Sequence, residues 1–376
     1  MAGKPITTRS LNRALLARQG LIERLTVPLV EAVEAVGALQ AQSWTAPGVA
    51  LWSRVEGLRI DDLHGALDDG SLVNGTLLRA TLHVVSARQH PDYARVAVDS
   101  GVCDWHRAKG PVHPDSELLR PAVAEFAAGP SRSVDEISAF ADSWAKTHDD
   151  AISSEELRFQ QDHKWRPVRA APFLVRVPVG SGWTKEPKNY RAAPEMGDST
   201  SEFALDAVVG HHLRAFGPAS VDDIAYWTGA GTPVVRKSLV RLGDRLVELA
   251  DENGAVLHDL EDAPRPAGDT PVAPRFLAAF DSALLAYHAK RRERILPEAH
   301  REAVSVRPNL QIKPTFLIDG LVAGLWAAEA KRKTATLTLS PFDKLRATDR
   351  KALTEEGEQL LAFLYPEAVG YEVAVA

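Results

Sequence analysis

Ser220-Val-Asp-Asp-Ile-Ala-Tyr-Trp-Thr228 decides the fold reading, because Ser133-Val-Asp-Glu-Ile-Ser-Ala-Phe-Ala141 repeats its pattern. Each stretch opens with a serine able to cap a helix, puts acids in the first turn, and continues as an apolar face. Each also follows a helix-like segment and a Gly-Pro turn, Gly129-Pro130 in one case and Gly217-Pro218 in the other. Helix, tight turn and second helix are how a helix-turn-helix begins. The later copy continues with Thr232-Pro233 opening a helix through Arg236, Lys237 and Arg241. Two short strands then flank a polar tip: Arg245 to Leu249, a turn at Asp251 to Gly254, and Ala255 to His258. That completes a winged helix.

Outward from this stretch the pattern recurs in weaker form. The earlier copy has strand-like Phe173 to Val177, a Gly180-Ser-Gly182 tip and a return at Trp183-Thr184. In the first third, 11–21, 28–39, 47–55 and 60–67 read as helices, and 72–87 as a strand pair broken near Arg79-Ala80. Beyond the Pro264-Arg265-Pro266 linker the chemistry changes. Thr315 to Trp326 reads as strand, Asp-Gly turn, strand; Thr334 to Leu339 alternates as another strand; Leu353 to Leu364 is helical; Gly370 to Val375 closes. The expectation is an α+β protein with winged helices over 1–112, 113–200 and 201–264 and a β-barrel over 270–376 carrying a basic hairpin at Lys331, Arg332 and Lys333.

Composition narrows the function classes. A chain of 376 residues, 45% hydrophobic and 25% charged, holds several small domains with real cores. There is no apolar run of membrane-spanning length and no signal-like N-terminus, so the expected place is the cytoplasm. One cysteine excludes an intramolecular disulfide framework and multi-cysteine zinc sites. The formal charge of −6 argues against a nucleic-acid partner only if charge is evenly spread. It is not: 287–351 holds fourteen Lys+Arg against seven Asp+Glu, a net of +7, leaving −13 for the rest. Such a run is a solvated basic face or a phosphate-facing one.

No nucleotide loop, metalloprotease helix or nucleophile elbow occurs, and no metal or cofactor is expected. The unusual feature is Gln40-Ala41-Gln42 at the end of an apolar helix, followed by Ser43-Trp44-Thr45-Ala46-Pro47. Read alone, one glutamine caps the helix end and the other faces water.

In its setting the tripeptide resembles something more. Together with Leu78-Arg-Ala-Thr-Leu-His83, Phe280-Asp281 before the basic run Lys290 to Arg294, and Phe316 to Gly320 before Gly324-Leu-Trp326, it is similar to the winged-helix bacterial DNA glycosylases of the AlkZ/YcaQ type. The resemblance spans about Leu11 to Phe342. It implies a C-shaped array of three winged helices plus a β-barrel, and a catalytic pair, Gln40 and Gln42. In the YcaQ-like branch the second position is aspartate, so Gln42 places the chain nearer the AlkZ branch. That branch removes bulky N7-alkylpurine adducts and interstrand crosslinks, often as self-resistance to a genotoxic natural product. The resemblance further implies a monomer on double-stranded DNA, near the bacterial nucleoid. Expected substrate or DNA contacts are Trp44, Thr45, Arg79, His83, Asp281, Arg291, Arg292, Lys331, Arg332 and Lys333. For Trp44 the alternative is core packing, for His83 a structural hydrogen bond, and for Lys331 to Lys333 a solvated tip.

The chemistry agrees with the motif. Alkylation at N7 makes the purine cationic and a good leaving group, so the catalyst needs mainly to position water at an oxocarbenium-like sugar. An amide offers two donors and an acceptor without charge, but is no strong base. The competing expectations are a non-catalytic tandem winged-helix regulator and a protein-binding scaffold. No coiled coil or dimerisation helix supports the regulator.

Overall fold

Serine caps set two helices where the sequence predicts them. The Glu136 N–H donates to Ser133 Oγ at 3.2 Å while Ser133 N–H donates back to the Glu136 carboxylate at 2.8 Å. Ser220 and Asp223 repeat the exchange at 3.2 and 3.0 Å. Each box satisfies two amide hydrogens that a helix start otherwise leaves unpaired. A computed structural model describes residues 5–107, 112–148, 150–178, 186–306 and 311–376 of the chain, a mixed α+β protein.

The first segment runs α1 (Thr8–Arg18), α2 (Leu29–Val36), β1 (Leu39–Gln40), α3 (Ala46–Arg54), α4 (Ile60–Asp68), β2 (Leu72–Thr76), β3 (Leu82–Ser86) and α5 (His90–Asp99). The second contains α6 (Leu119–Phe126), β4 (Arg132–Ser133), α7 (Val134–Thr147), α8 (Ser154–Asp162), α9 (Arg166–Arg169), β5 (Leu174–Val177) and β6 (Asn189–Ala192). The third has α10 (Ser201–Phe216), α11 (Val221–Thr228), α12 (Thr232–Leu242) and a hairpin, β7 (Leu246–Ala250) with β8 (Val256–Leu260).

Two expectations need correction here. The helix predicted over 28–39 ends at Val36, because Gly37 takes a φ of 81° and lies against Phe216 and Ala215, where a side chain would clash. The chain then turns into β1, so Gln40 sits on a strand, not a helix end. The hairpin predicted after Phe173 returns at β6, further along than expected; the 180–182 tip and Trp183-Thr184 lie outside the described residues. The first two segments also share one six-stranded sheet, in order β1-β3-β2-β5-β6-β4, with β2 pairing to β5 across the segment boundary.

The last segment comprises β9 (Arg275–Leu277), α13 (Ser282–Leu285), α14 (Arg301–Val304), β10 (Ser305–Val306), β11 (Gln311–Ile312), β12 (Thr315–Ile318), β13 (Leu321–Lys331), β14 (Thr334–Pro341), α15 (Ala347–Leu364) and β15 (Gly370–Val375). The strands predicted from alternation are all present, but a closed barrel is not detected. Among the described residues they form an open five-stranded sheet, β15-β14-β13-β12-β9. The cause is α15. It carries the chain over so that β15 joins β14 in parallel, leaving β15 and β9 at opposite edges. Its buried Leu353, Leu360 and Leu361 join Phe276, Leu337 and Leu339 in one core, so a helix covers the face that closure would have covered.

A fully buried ion pair joins the last segment to the first. Arg54, at the end of α3, grips both oxygens of Asp281, at the start of α13, at 3.0 and 2.6 Å, and both side chains are fully buried. Arg54 also bonds Gln19 Oε1 and the Ala50 carbonyl, and Asp281 accepts the Ala283 N–H. Asp281→Ala strands the Arg54 charge, so unfolding free energy in urea should fall by about 3–5 kcal/mol, with an Arg54→Met/Asp281→Leu pair recovering most of it. A surface DNA contact at Asp281 would move stability by under about 0.5 kcal/mol, and that result would overturn this role.

Candidate active site and nucleic-acid interface

The glutamine segment is held by its backbone, which leaves its side chains available. Gln40 pairs with His83 and Leu39 with Val84, and the Ala41 N–H donates to the Leu82 carbonyl at 2.7 Å. On the open edge of β1, Ser282 Oγ accepts from Gln40 N–H at 3.3 Å and donates to the Ala38 carbonyl at 3.0 Å. Leu39 and Ala41 point into the core, Gln40 is half-buried, and Gln42 is exposed in the bend that follows. Among the described residues neither glutamine side chain is engaged in a hydrogen bond within the protein.

Gln42 lines a cleft of about 440 Å³. The first segment contributes Gln42, Thr76, Ala80 and Leu82; the second contributes Arg166, Arg169, Arg176, Glu186 and Tyr190. Arg169 is buried, donating to the Tyr190 hydroxyl at 2.7 Å with its guanidinium 5.2 Å from that ring. Arg176 donates to the Glu186 carboxylate at 2.6 Å and the Pro187 carbonyl at 2.7 Å. Burial lowers the Arg169 pKa first and most; Tyr190 opposes this, and the positive charges of Arg166 and Arg176 lower it further. The cleft therefore puts an unengaged amide beside concentrated positive charge.

His83 lies fully buried beside Gln40 in the pairing. Its Nδ1–H donates to the Thr81 carbonyl at 2.9 Å, which leaves Nε2 as the unprotonated nitrogen. Burial above all, then the nearby Arg79 charge, pushes its pKa down to about 3. A neutral imidazole here neither protonates a leaving base nor pairs with a phosphate.

Several expected contacts are occupied elsewhere. Asp281 is spent on Arg54, so it is a support beneath the strand rather than a DNA contact. Arg79 takes a left-handed φ of 56° in the β2–β3 turn, followed by Ala80 at 55°. Its guanidinium donates to the Trp227 carbonyl and sits over Tyr226, pinning that turn to α11. Arg292 is buried on the same ring's hydroxyl at 2.9 Å and on the Tyr287 carbonyl at 3.2 Å. Arg291 is half-buried, 3.9 Å from Asp223 and 3.6 Å from Asp251. These three arginines are engaged within the protein.

Trp44 stacks on His64, centroids 6.1 Å apart, and packs against the core without lining the cleft. Thr45 precedes α3, half-buried, its hydroxyl 3.4 Å from Ser43 Oγ. Lys331, Arg332 and Lys333 form the exposed β13–β14 tip, with Lys331 on Glu329 at 2.7 Å. The structure thus brings Gln42 together with arginines that sequence reasoning passed over. Their signals were the i,i+3 spacing of Arg166 and Arg169 and the lone charge in Leu174-Val-Arg-Val177.

Comparison with known proteins gives one family and one fold. The family described as "DNA glycosylase AlkZ-like" matches residues 33–363. No curated protein sequence matches the chain. Among solved structures, the Streptomyces sahachiroi DNA glycosylase AlkZ is similar with a TM-score of 0.78 at 21% identity, covering 99% of this chain and 100% of that one. At that identity the likeness is one of fold.

The His83 pKa sets a measurable pH dependence. The unfolded imidazole titrates near 6.5 and the folded one near 3, so the unfolded state binds the extra proton below 6.5. This contribution to stability is complete above pH 6.5 and is lost as pH falls from 6.5 towards 3. Between pH 7 and pH 5 the parent should lose about 2 kcal/mol more than His83→Gln in urea unfolding. Equal losses would show that His83 is not buried neutral.

Proposed function

We infer the reaction from one premise: the chain belongs to the AlkZ-like DNA glycosylase family. On that footing its substrate is DNA, and its reaction breaks the bond between a damaged base and its sugar. The finer reading is that it hydrolyses the N-glycosidic bond of cationic N7-alkylpurines, including bulky adducts or interstrand crosslinks from a genotoxic natural product. The observation that carries this is Gln42, an exposed amide with no partner among the described residues, in an arginine-lined cleft.

In the proposed mechanism the Gln42 amide, with Gln40 two residues before it, holds a water in line with the sugar C1′ as the base departs. A base that already carries positive charge leaves without protonation, so neutral His83 is no handicap. Positioning accounts for the acceleration, since an amide cannot take the water's proton as a carboxylate would. The carboxylates near the segment are committed: Asp281 to Arg54, and Glu186 to Arg176. No lysine lines the cleft among the described residues, so no amine stands ready to form a Schiff base. The product is then an abasic site rather than a cut strand.

The rest of the molecule is read as the DNA-binding frame. We assign the α10–α11–α12 helices and β7–β8 hairpin to a winged helix, and the first two segments to two more, giving an array that acts as a monomer. Lys331, Arg332 and Lys333 project from the C-terminal sheet as an exposed basic tip suited to the DNA backbone.

The test uses duplex DNA carrying one 7-methylguanine, with alkali cleavage to reveal abasic sites. Gln42→Ala and Gln40→Ala should each slow single-turnover excision at least tenfold, the equivalent of about 1.4 kcal/mol at the transition state. A uracil-containing duplex should be left intact. Full activity in both folded variants, or comparable excision of uracil, would sink this reading.

A further inference from the structure

The cleft beside Gln42 holds more positive charge than the protein itself balances. Three arginines face one glutamate there, a net of +2, on a chain whose overall charge is −6. Two of the three are not surface side chains. Arg169 is 8% exposed and the Arg176 side chain 9% exposed. Burying guanidinium groups side by side is costly unless an anion meets them. The anion present, Glu186, is 63% exposed and engages one Nη of Arg176. The Arg176 Nε is buried with no partner among the described residues. Arg166 is exposed and has no ion pair among them.

Arg169 donates its Nε to the Lys164 carbonyl at 3.1 Å, and three planar guanidinium groups lining one cleft have the chemistry to hold a phosphate. Tyr190 contributes rigidity, since its hydroxyl and ring fix Arg169 in place. We propose that Arg166, Arg169 and Arg176 bind a backbone phosphodiester of the duplex, and that the Glu186 carboxylate occupies this receptor until DNA displaces it. The inference rests on the glycosylase reading for the identity of the polyanion and adds to it a fixed register. With a phosphate on the second-segment wall, the adjoining sugar is presented to Gln42 on the first-segment wall. Glu186 then also selects: an isolated small anion competes poorly with a carboxylate already in place, whereas a duplex brings further contacts.

The experiment measures binding of an undamaged labelled duplex to the full chain over a range of salt concentrations. Arg166→Gln and Arg176→Gln should each weaken binding several-fold and reduce the slope of log K against log salt, by at most about 0.9, the value for one neutralised phosphate. Arg166 makes no contact that folding needs, so its variant keeps the test valid if Arg176→Gln is unstable. Glu186→Gln should tighten binding. Unchanged slopes in both arginine variants overturn the receptor, and unchanged or weaker binding by Glu186→Gln overturns the displacement. Titration with inorganic phosphate alone separates the sources: arginine-dependent phosphate binding without any arginine effect on DNA would also overturn the proposal. Failure of the glycosylase reading looks different. The arginine-dependent slope would then persist, in support of the receptor, while the parent enzyme left 7-methylguanine in place.

Discussion

The buried pair of Arg54 and Asp281 is the constraint on which the site depends. Taking two charges out of water is unfavourable by several kcal/mol, and the pair is tolerable because further hydrogen bonds to Gln19, the Ala50 carbonyl and the Ala283 N–H surround it. Arg54 reaches Gln19, whose amide donates to the Val36 and Ala215 carbonyls, so one network ties α1, α2, α3, α10 and α13 together. Its consequence for chemistry is local. Ser282, next to Asp281, bonds the free edge of β1, a strand of only two residues that pairing alone would hold weakly. Gln42 is therefore placed by an ion pair whose acidic partner comes from the far end of the chain.

Much of this frame was legible because it is local. Ser133 and Ser220 state their helices through caps, and alternation from Thr315 to Leu339 states its strands. What misled the reading was tertiary. The apolar run through Leu39 has helical periodicity, but Gly37 at a left-handed φ breaks it against α10, a contact no window of sequence contains. Barrel and open sheet share the same strand alternation, and only the packing of α15 distinguishes them. The cleft was legible on one side alone. Gln40-Ala41-Gln42 drew notice as a motif, whereas Arg166, Arg169 and Arg176 belong to no charge run and meet Gln42 only through the pairing of β2 with β5.

Charge counting failed in an instructive way for the same reason. The stretch 287–351 reads as a basic face, yet Arg292 and Arg294 within it are buried. Arg294 donates to the Pro218 carbonyl at 2.8 Å and lies 4.1 Å from the Tyr287 ring. Arginine serves here as a cross-linker, since five donors on a flat group satisfy several carbonyls at once. Lysine, with a compact and strongly hydrated charge, stays outside at Lys290 and in the Lys331 to Lys333 tip. Net charge along a sequence therefore overstates the surface field wherever arginines dominate, and understates it in a cleft built from scattered ones.

The arginines also bear on why an amide is suited to position 42. A carboxylate lining this cleft would be drawn to a guanidinium, as Glu186 is to Arg176 at 2.6 Å. Its oxygens would then be turned from the sugar towards the wall. An uncharged amide feels no comparable pull, and the Gln42 side chain is accordingly exposed rather than folded onto the arginines. It retains both donors and its acceptor for a water or a sugar oxygen while positive charge remains on the wall for an anion. Positive charge close to a cationic base would oppose binding if it were bare, and an anion seated on the arginines removes that conflict. If the lesion is cationic and a backbone phosphate sits on the arginines, as proposed above, the amide and the arginines work as one arrangement: the phosphate neutralises the wall beside which the neutral group acts.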